Sequence, residues 1–240
     1  MSIPTDRLER PKRFYKSAAA GPLDDGFGVL LDSRALRSPV GKRLIVPTQA
    51  LASLVAEEWG AQGQEIDLDN MPATRLAFTT IDRVADTRVE LVAEVVRYAG
   101  SDLLCYHASG PAALIERETA AWGPILDWAR AELLLDFTPT AGIVHRAQPG
   151  PTLRRVGDLA EVLDDFALAG LVFATALFGS AILALAVQRE RLTAEEAFEL
   201  SRLDEAFQQE KWGVDEEAAL RTARHHIEAV MVGGWFQALA

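Results

Sequence analysis

The stretch FALAGLVFATALFGSAILALAV, residues 166–187, contains no charged side chain, and its interpretation decides the fold. A helix that crosses a membrane needs about 20 such residues, so length alone would allow one crossing. The stretch is rich in Ala and Gly, however, and the pair Gly179-Ser180 interrupts it. A helix that is apolar on all sides is also typical of the centre of a helical bundle. We therefore predict one buried helix, or two consecutive ones, and no stable insertion in a membrane.

The rest of the chain indicates a β-rich part followed by helices. Residues 27–48 contain short apolar runs separated by turn residues, which is typical of strands. Thr48 is placed to cap a first helix, and only residues 136–145 indicate a strand later in the chain. The sequence thus predicts an α+β fold, with a small β-rich N-terminal domain over residues 1–85 and a larger C-terminal α-helical domain over residues 86–240.

Capping residues predict the helix ends near the C-terminus. Thr193 and Glu196 match the capping box, and the helix that they open is expected to run to Gly213. Asp215 is expected to cap the last helix, which Gly233-Gly234 should close. The predicted inner face of that helix consists of Leu220, Ala223, Ile227, Val230 and Met231.

Composition argues against several classes of function. The net charge of -11 at pH 7 makes nucleic acid a poor partner, because phosphate contacts need clustered Lys and Arg. Cys105 is the only cysteine, so no disulfide can form within the chain, and we expect a buried, inert thiol. The spacings of phosphate-binding loops, catalytic nucleophiles and metal ligands are absent from the sequence. We therefore expect no cofactor, no metal site and no enzymatic activity.

An acidic block, LDEAFQQEKWGVDEEAALR at residues 203–221, contains the strongest candidates for function. Asp215, Glu216 and Glu217 fall at the start of a predicted helix, where the helix dipole favours carboxylates. Glu217 can also form an ion pair with Arg221, one helical turn further on. Part of the acidity therefore has a structural explanation.

The other part of the acidic block favours a binding surface over an active site. Glu205 and Glu210 lie about 140° apart around a helix, so they form a poor acid/base pair. Trp212 lies at the corner between two predicted helices, and Trp is enriched in the energetic centres of interfaces. Two alternatives stay open: a soluble hydrolase that uses an Asp/Glu pair from residues 204–217, and a factor anchored in a membrane through residues 166–187.

Four stretches, in their order and spacing, resemble one known family. They are RFYK at residues 13–16, VLLDSRALRSPVGKRLIVPTQALASLVAEEW at 29–59, MPATRLAFTTIDRV at 71–84 and LTAEEAFELSRLDEAFQQEKWGVDEEA at 192–218. The family is the assembly chaperone of ATP synthase that binds the alpha subunit of the catalytic head, in mitochondria and in alphaproteobacteria. The resemblance covers nearly the whole chain.

The resemblance implies a protein without enzymatic activity. Such a chaperone binds the unassembled alpha subunit and prevents its aggregation until the subunit pairs with the beta subunit. An essential carboxylate in the last block is implied as well; it corresponds to Glu216, with Glu205 as the second candidate. Glu210, Trp212 and Asp215 complete the predicted partner-binding residues. We expect a monomer when free, in the bacterial cytoplasm, or in the mitochondrial matrix if the chain is a mature eukaryotic form.

Overall fold

The computed structural model describes residues 10–213 and 215–240. The chain divides into two compact units, of which the first ends at Asp82 and the second begins at Arg83. Together they form an α+β protein, as the sequence predicts, with a small antiparallel sheet near the N-terminus and a helical C-terminal region. In the described ranges, no helix combines the length and the apolar character that a membrane crossing requires.

A three-stranded antiparallel sheet and one helix build the core of the first unit. The sheet contains β1 (Ala18–Leu23), β2 (Gly26–Leu31) and β3 (Arg34–Ala35), in that order. Helix α1 (Gln49–Gly60) packs on β1 and β2, and the Thr48 side chain caps it by accepting a hydrogen bond from the backbone N–H of Leu51, as predicted. Helix α2 (Pro72–Arg83) follows.

The strand prediction is only partly correct. Strand β1 was not predicted, because its Ala-, Gly- and Pro-containing sequence lacks the β-branched residues typical of strands. The run Leu44-Ile45-Val46, which resembles a strand, is not part of the sheet: Val46 makes an isolated bridge with Phe27, and the backbone N–H of Leu44 donates to the carbonyl of Leu36. Residues 27–48 therefore contribute β2 and β3 to the sheet and a bridged loop beside it.

The second unit is mostly helical. Its helices are α3 (Arg88–Gly100), α4 (Ala112–Leu133), α5 (Gly150–Glu161), α6 (Asp165–Phe178), α7 (Ala181–Gln188), α8 (Ala194–Ser201), α9 (Leu203–Trp212) and α10 (Glu216–Leu239). Two short strands, β4 (Tyr106–His107) and β5 (Thr140–Ala141), pair in parallel. Of the residues 136–145 that the sequence predicts as a strand, only those of β5 form one.

The charge-free stretch forms two consecutive buried helices, α6 and α7. Gly179 follows α6 in a left-handed conformation with φ 63°, and the Ser180 side chain caps α7 by accepting a hydrogen bond from the backbone N–H of Leu183. All residues from Ala181 to Val187 are buried, and α6 and α7 both pack on α3. The predicted burial of this stretch, with a break at Gly179-Ser180, is confirmed.

Asp102 is a fully buried carboxylate at the start of α7. Its Oδ1 accepts hydrogen bonds from Ser180 Oγ at 2.7 Å and from the backbone N–H of Leu104 at 3.1 Å, and its Oδ2 accepts one from the backbone N–H of Ile182 at 3.1 Å. Burial raises the pKa of Asp102 to about 6, although these donors oppose the shift. One acid, 78 residues earlier in the chain than Ser180, therefore holds the break between the two apolar helices.

Two predicted helix boundaries near the C-terminus are wrong. The Thr193–Glu196 capping box is present, but its helix, α8, ends at Ser201, and α9 begins after Arg202. The last helix does not close at Gly233-Gly234 and continues to Leu239. A Cβ added at Gly233 would lie 2.8 Å from Cβ of Ala194, so this glycine allows α10 to approach the start of α8.

Candidate partner-binding surface

The predicted partner-binding residues lie on α9, on α10 and in the turn between them. Trp212 ends α9, Gly213 follows with φ 86°, and Asp215 caps α10 by accepting a hydrogen bond from the backbone N–H of Ala218 at 3.0 Å. The Trp212 side chain is 76% exposed, whereas Trp235 is fully buried. Trp212 is therefore available to a partner, as the sequence predicts, and Asp215 has a structural role.

Two of the predicted carboxylates take part in ion pairs. Glu210 accepts hydrogen bonds from both terminal nitrogens of Arg117 on α4, at 2.7 and 3.0 Å, and these bonds lower the pKa of Glu210. Glu205 lies 2.5 Å from the guanidinium of Arg202. Because both carboxylates are exposed to solvent, the pairs contribute little to stability, and a partner can replace them at low cost.

Glu216, the first residue of α10, is exposed, and its side chain makes no hydrogen bond or ion pair with any other described residue. Its position favours a negative charge through the helix dipole. The predicted ion pair between Glu217 and Arg221 does not form within the described part of the chain, and Arg221 lines a groove instead. Glu216 and Glu217 thus present carboxylates that form no ion pair with the described residues.

The outward face of α10 carries an apolar stripe that the sequence analysis placed inside. Leu220 is 65% exposed, Ile227 58% and Val230 45%, and Ala223 is exposed as well. We call these four residues the α10 stripe. The predicted inner face is correct only for Met231, and the buried residues of α10 are Ala229, Met231, Val232, Trp235 and Phe236. Periodicity predicts an apolar helix face, but it cannot tell whether another element covers that face.

A groove of about 650 Å³ lies on the other side of α10, between its first turns and the helices α6, α8 and α9. Its walls combine apolar side chains of α6 and α8 with polar ones, which include Arg202, Glu205, Gln208, Gln209, Arg221 and His225. Glu205 therefore faces this groove, whereas Glu216 lies in line with the α10 stripe on the opposite face of the helix. The structure does not bring the two candidate carboxylates together.

A buried acid pair, which the sequence analysis missed, connects α4 and α9. Glu118 on α4 is fully buried, and its Oε2 accepts a hydrogen bond from the backbone N–H of Ala108 at 2.7 Å. Its Oε1 and Oδ1 of Asp204 are buried and have no hydrogen-bond partner among the described residues. The two carboxyl groups are close enough for Asp204 to influence the titration of Glu118.

Burial, assisted by the neighbouring Asp204 carboxyl group, raises the pKa of Glu118 to about 7. Neither acid lines the groove beside α9. The sequence does carry a signal for Glu118. It lies four residues after Leu114 and four before Trp122, so all three share one face of α4, and that face is buried.

The acid pair predicts a pH dependence of stability. Folded Glu118 keeps its proton up to about pH 7, whereas the unfolded side chain loses it near pH 4.5. Between these values the folded state binds more protons, so the free energy of unfolding falls as pH rises, by up to about 3 kcal/mol. Urea denaturation at pH 5.0 and 7.5 measures this fall.

Glu118→Gln is the matched variant for this measurement. A glutamine amide can donate to Asp204 and accept from Ala108 without titrating. The free energy of unfolding of this variant should therefore fall less between pH 5.0 and 7.5, because the contribution of Glu118 is missing. Asp102 contributes a fall in the same direction between pH 3.8 and about 6, but it does so in both proteins. Equal pH profiles for the two proteins would contradict the assignment to Glu118.

Metal and thiol chemistry gain no support from the described residues. No group of three or more His, Cys, Asp or Glu side chains in residues 10–213 and 215–240 is arranged to hold a metal ion. Cys105 is buried, as predicted, and burial raises the pKa of its thiol. A thiol that stays protonated at neutral pH is a poor nucleophile.

Comparisons of sequence and of structure with known proteins lead to one protein family. Residues 12–130 match the sequence pattern of the family described as ATP12 chaperone protein. The crystal structure of Atp12 from Paracoccus denitrificans is 38% identical, has a TM-score of 0.88, and aligns over 96% of this chain and 99% of that one. A crystal structure from Agrobacterium tumefaciens is 40% identical, with a TM-score of 0.91 over 96% of this chain and 87% of that one. The mitochondrial protein atp12 of Schizosaccharomyces pombe is 26% identical over 219 residues, which are 86% of this chain and 75% of that protein.

Proposed function

Because the chain belongs to the ATP12 chaperone protein family, which serves the assembly of ATP synthase, we propose that it binds the unassembled alpha subunit of the catalytic head. In this proposal it prevents aggregation of that subunit until the beta subunit replaces it. The observation that supports the proposal best is the α10 stripe, an apolar helix face that the rest of the described chain leaves exposed. Subunits that pair through large apolar surfaces aggregate when alone, and an exposed apolar face can cover such a surface.

The placement of the acids supports a binding protein rather than a hydrolase. Glu205 and Glu216 lie on opposite sides of α10, and the Glu118–Asp204 pair lines no part of the groove. Hydrolysis by two carboxyl groups needs both groups at one accessible position. We therefore propose that the acidic block binds a partner and performs no catalysis.

We assign the partner-binding roles as follows. Trp212 contributes a large exposed apolar surface, and Glu216 contributes a carboxylate that can meet an Arg or Lys of the partner. Glu205 and Glu210 offer carboxylates at the margin, and Asp215 keeps the first turn of α10 in place.

We also propose a monomer that works in the bacterial cytoplasm without cofactor or metal. The two bacterial structures, at 38% and 40% identity, are closer to this chain than the mitochondrial protein at 26%.

Aggregation of purified alpha subunit, followed by light scattering after dilution from denaturant, tests the proposed function. We expect the chain to suppress scattering by alpha subunit at near-equimolar amounts and to leave scattering by beta subunit unchanged. Equal suppression of both subunits, or of neither, would contradict the proposed partner. EDTA should have no effect, since no metal takes part.

Glu216→Gln should weaken alpha-subunit holding but leave the fold intact. As a charge near the helix N-terminus, Glu216 contributes less than about 1 kcal/mol to folding. Loss of a carboxylate that meets a cation in a desolvated contact costs about 2 kcal/mol or more of binding, roughly a thirtyfold loss of affinity. Titration of the suppression assay, beside a thermal melt, measures the two effects separately.

Glu217→Gln is the matched control, because it removes a neighbouring carboxylate from a different face of α10. Glu205→Gln tests the second candidate carboxylate in the same assay. A folded Glu216→Gln protein that suppresses aggregation at wild-type concentrations would rule out Glu216. If Glu205→Gln alone failed, the essential carboxylate would be the one that faces the groove.

A further inference from the structure

Helix α10 has two apolar faces, and its own fold uses only one. Trp235 and Phe236 are buried on the first face, and Trp235 Nε1 donates a hydrogen bond to the backbone carbonyl of Phe166 on α6 at 2.9 Å. The α10 stripe is the second face, and it stays open to solvent. The outward face of a surface helix is normally polar, so an apolar stripe at that position indicates a binding surface.

The spacing of the stripe specifies the kind of partner. Glu216 and the four residues of the α10 stripe repeat at intervals of four, three, four and three, which places them within an arc of about 80°. This is the spacing by which one helix packs its side chains between those of a second helix. From Glu216 to Val230 the line is about 21 Å long, which is close to four helical turns.

We propose that the α10 stripe is the docking site for an amphipathic helix of the unassembled alpha subunit. That helix has apolar residues at alternating intervals of three and four, and an Arg or Lys opposite Glu216. The proposal rests on the proposed function and adds the kind of segment that is recognised. Arg224 borders the stripe on one side, so an acidic residue on the adjacent flank of the bound helix complements it.

A second copy of this chain fits the α10 stripe less well. If two copies packed in parallel, the two Glu216 carboxylates would face each other and repel. If they packed antiparallel, each Glu216 would meet Val230 and find no cation. A stable interface also takes about 20–30 residues from each side, and this line supplies five. A contact of this size suits a client that must later be released.

Photo-crosslinking from within the stripe identifies the occupant. A photoreactive amino acid replaces Ile227 in the full chain, which is then illuminated while it holds alpha subunit. The same amino acid in place of Val162, which is 77% exposed, is the control. We expect position 227, and not position 162, to crosslink to a helical segment of alpha subunit with the predicted pattern.

The other outcomes of the crosslinking experiment distinguish a wrong occupant, a wrong docking site and a wrong function. Crosslinks to a second copy of the chain, or to a strand or loop of alpha subunit, would overturn the proposed occupant. If alpha subunit were held without any crosslink from position 227, the docking site would be wrong while the chaperone function stood. If alpha subunit were not held at all, the proposed function would fail, and the docking site with it.

A pair of variants gives a second, independent test. Leu220→Ser with Ile227→Ser should reduce alpha-subunit holding at least about tenfold without lowering the melting temperature, since both side chains are exposed. Val89→Ser with Val162→Ser removes two valines that are 79% and 77% exposed and should leave holding unchanged. Equal losses in the two double variants would overturn the role of the α10 stripe.

Discussion

Ala174→Asp should lower the free energy of unfolding by more than about 4 kcal/mol, because it puts a carboxylate without a partner into the centre of α6. Ala174 is fully buried and lies in the charge-free stretch. Domains of this kind are stable by about 5–15 kcal/mol, so the variant should lose at least roughly a quarter of the stability. Urea denaturation followed by circular dichroism measures the change.

Ala176→Asp is the matched control, since Ala176 lies two residues further along α6 and is exposed. The same substitution should there cost less than about 1 kcal/mol, mostly through its position near the C-terminal end of the helix. If the two variants proved equally stable, α6 would not be buried in the way described.

Asp102→Ala should destabilise the protein by on the order of 4 kcal/mol. The substitution removes the acceptor of three hydrogen bonds, and it leaves the hydroxyl hydrogen of Ser180 and the backbone N–H groups of Leu104 and Ile182 buried without an acceptor. Each buried donor without an acceptor costs about 1–3 kcal/mol. Denaturation curves of the variant and the wild type at pH 7 measure the loss.

Asp102→Asn separates the hydrogen bonds from the charge. Its amide oxygen still accepts, so the variant should be more stable than Asp102→Ala, and the pH dependence due to Asp102 should disappear. Ser180→Ala, alone and combined with Asp102→Ala, measures the coupling of the two side chains by a double-mutant cycle. Additive effects would show that the Asp102–Ser180 hydrogen bond does not hold the break between α6 and α7.

Sequence reasoning predicts features of this fold that depend on neighbouring residues. Thr48, Asp215 and the Thr193–Glu196 pair cap their helices as predicted, because each cap is a hydrogen bond within one helical turn. The absence of charge in residues 166–187 predicts burial in the same direct way. Gly233 shows the limit, because its role depends on Ala194, which lies 39 positions earlier in the chain.

The candidate site was predictable only in part, for the same reason. The exposure of Trp212 and the helix-capping role of Asp215 follow from the turn in which they lie. The pair of Glu118 and Asp204 joins side chains from two helices, and no pattern of neighbouring residues in the sequence predicts such a contact. The α10 stripe was predicted as an apolar face but placed inside, since nothing in its own sequence says what covers it.

The contact between Trp235 and the Phe166 carbonyl has a consequence for how the protein is made. The two residues are 69 positions apart, so a ribosome that adds about 5–20 residues per second makes Phe166 roughly 3–14 s before Trp235. During that interval the nascent chain carries an uncharged apolar segment whose partner helix α10 has not yet been completed. A member of an assembly-chaperone family therefore passes, during its own translation, through a state in which its own apolar surface is exposed.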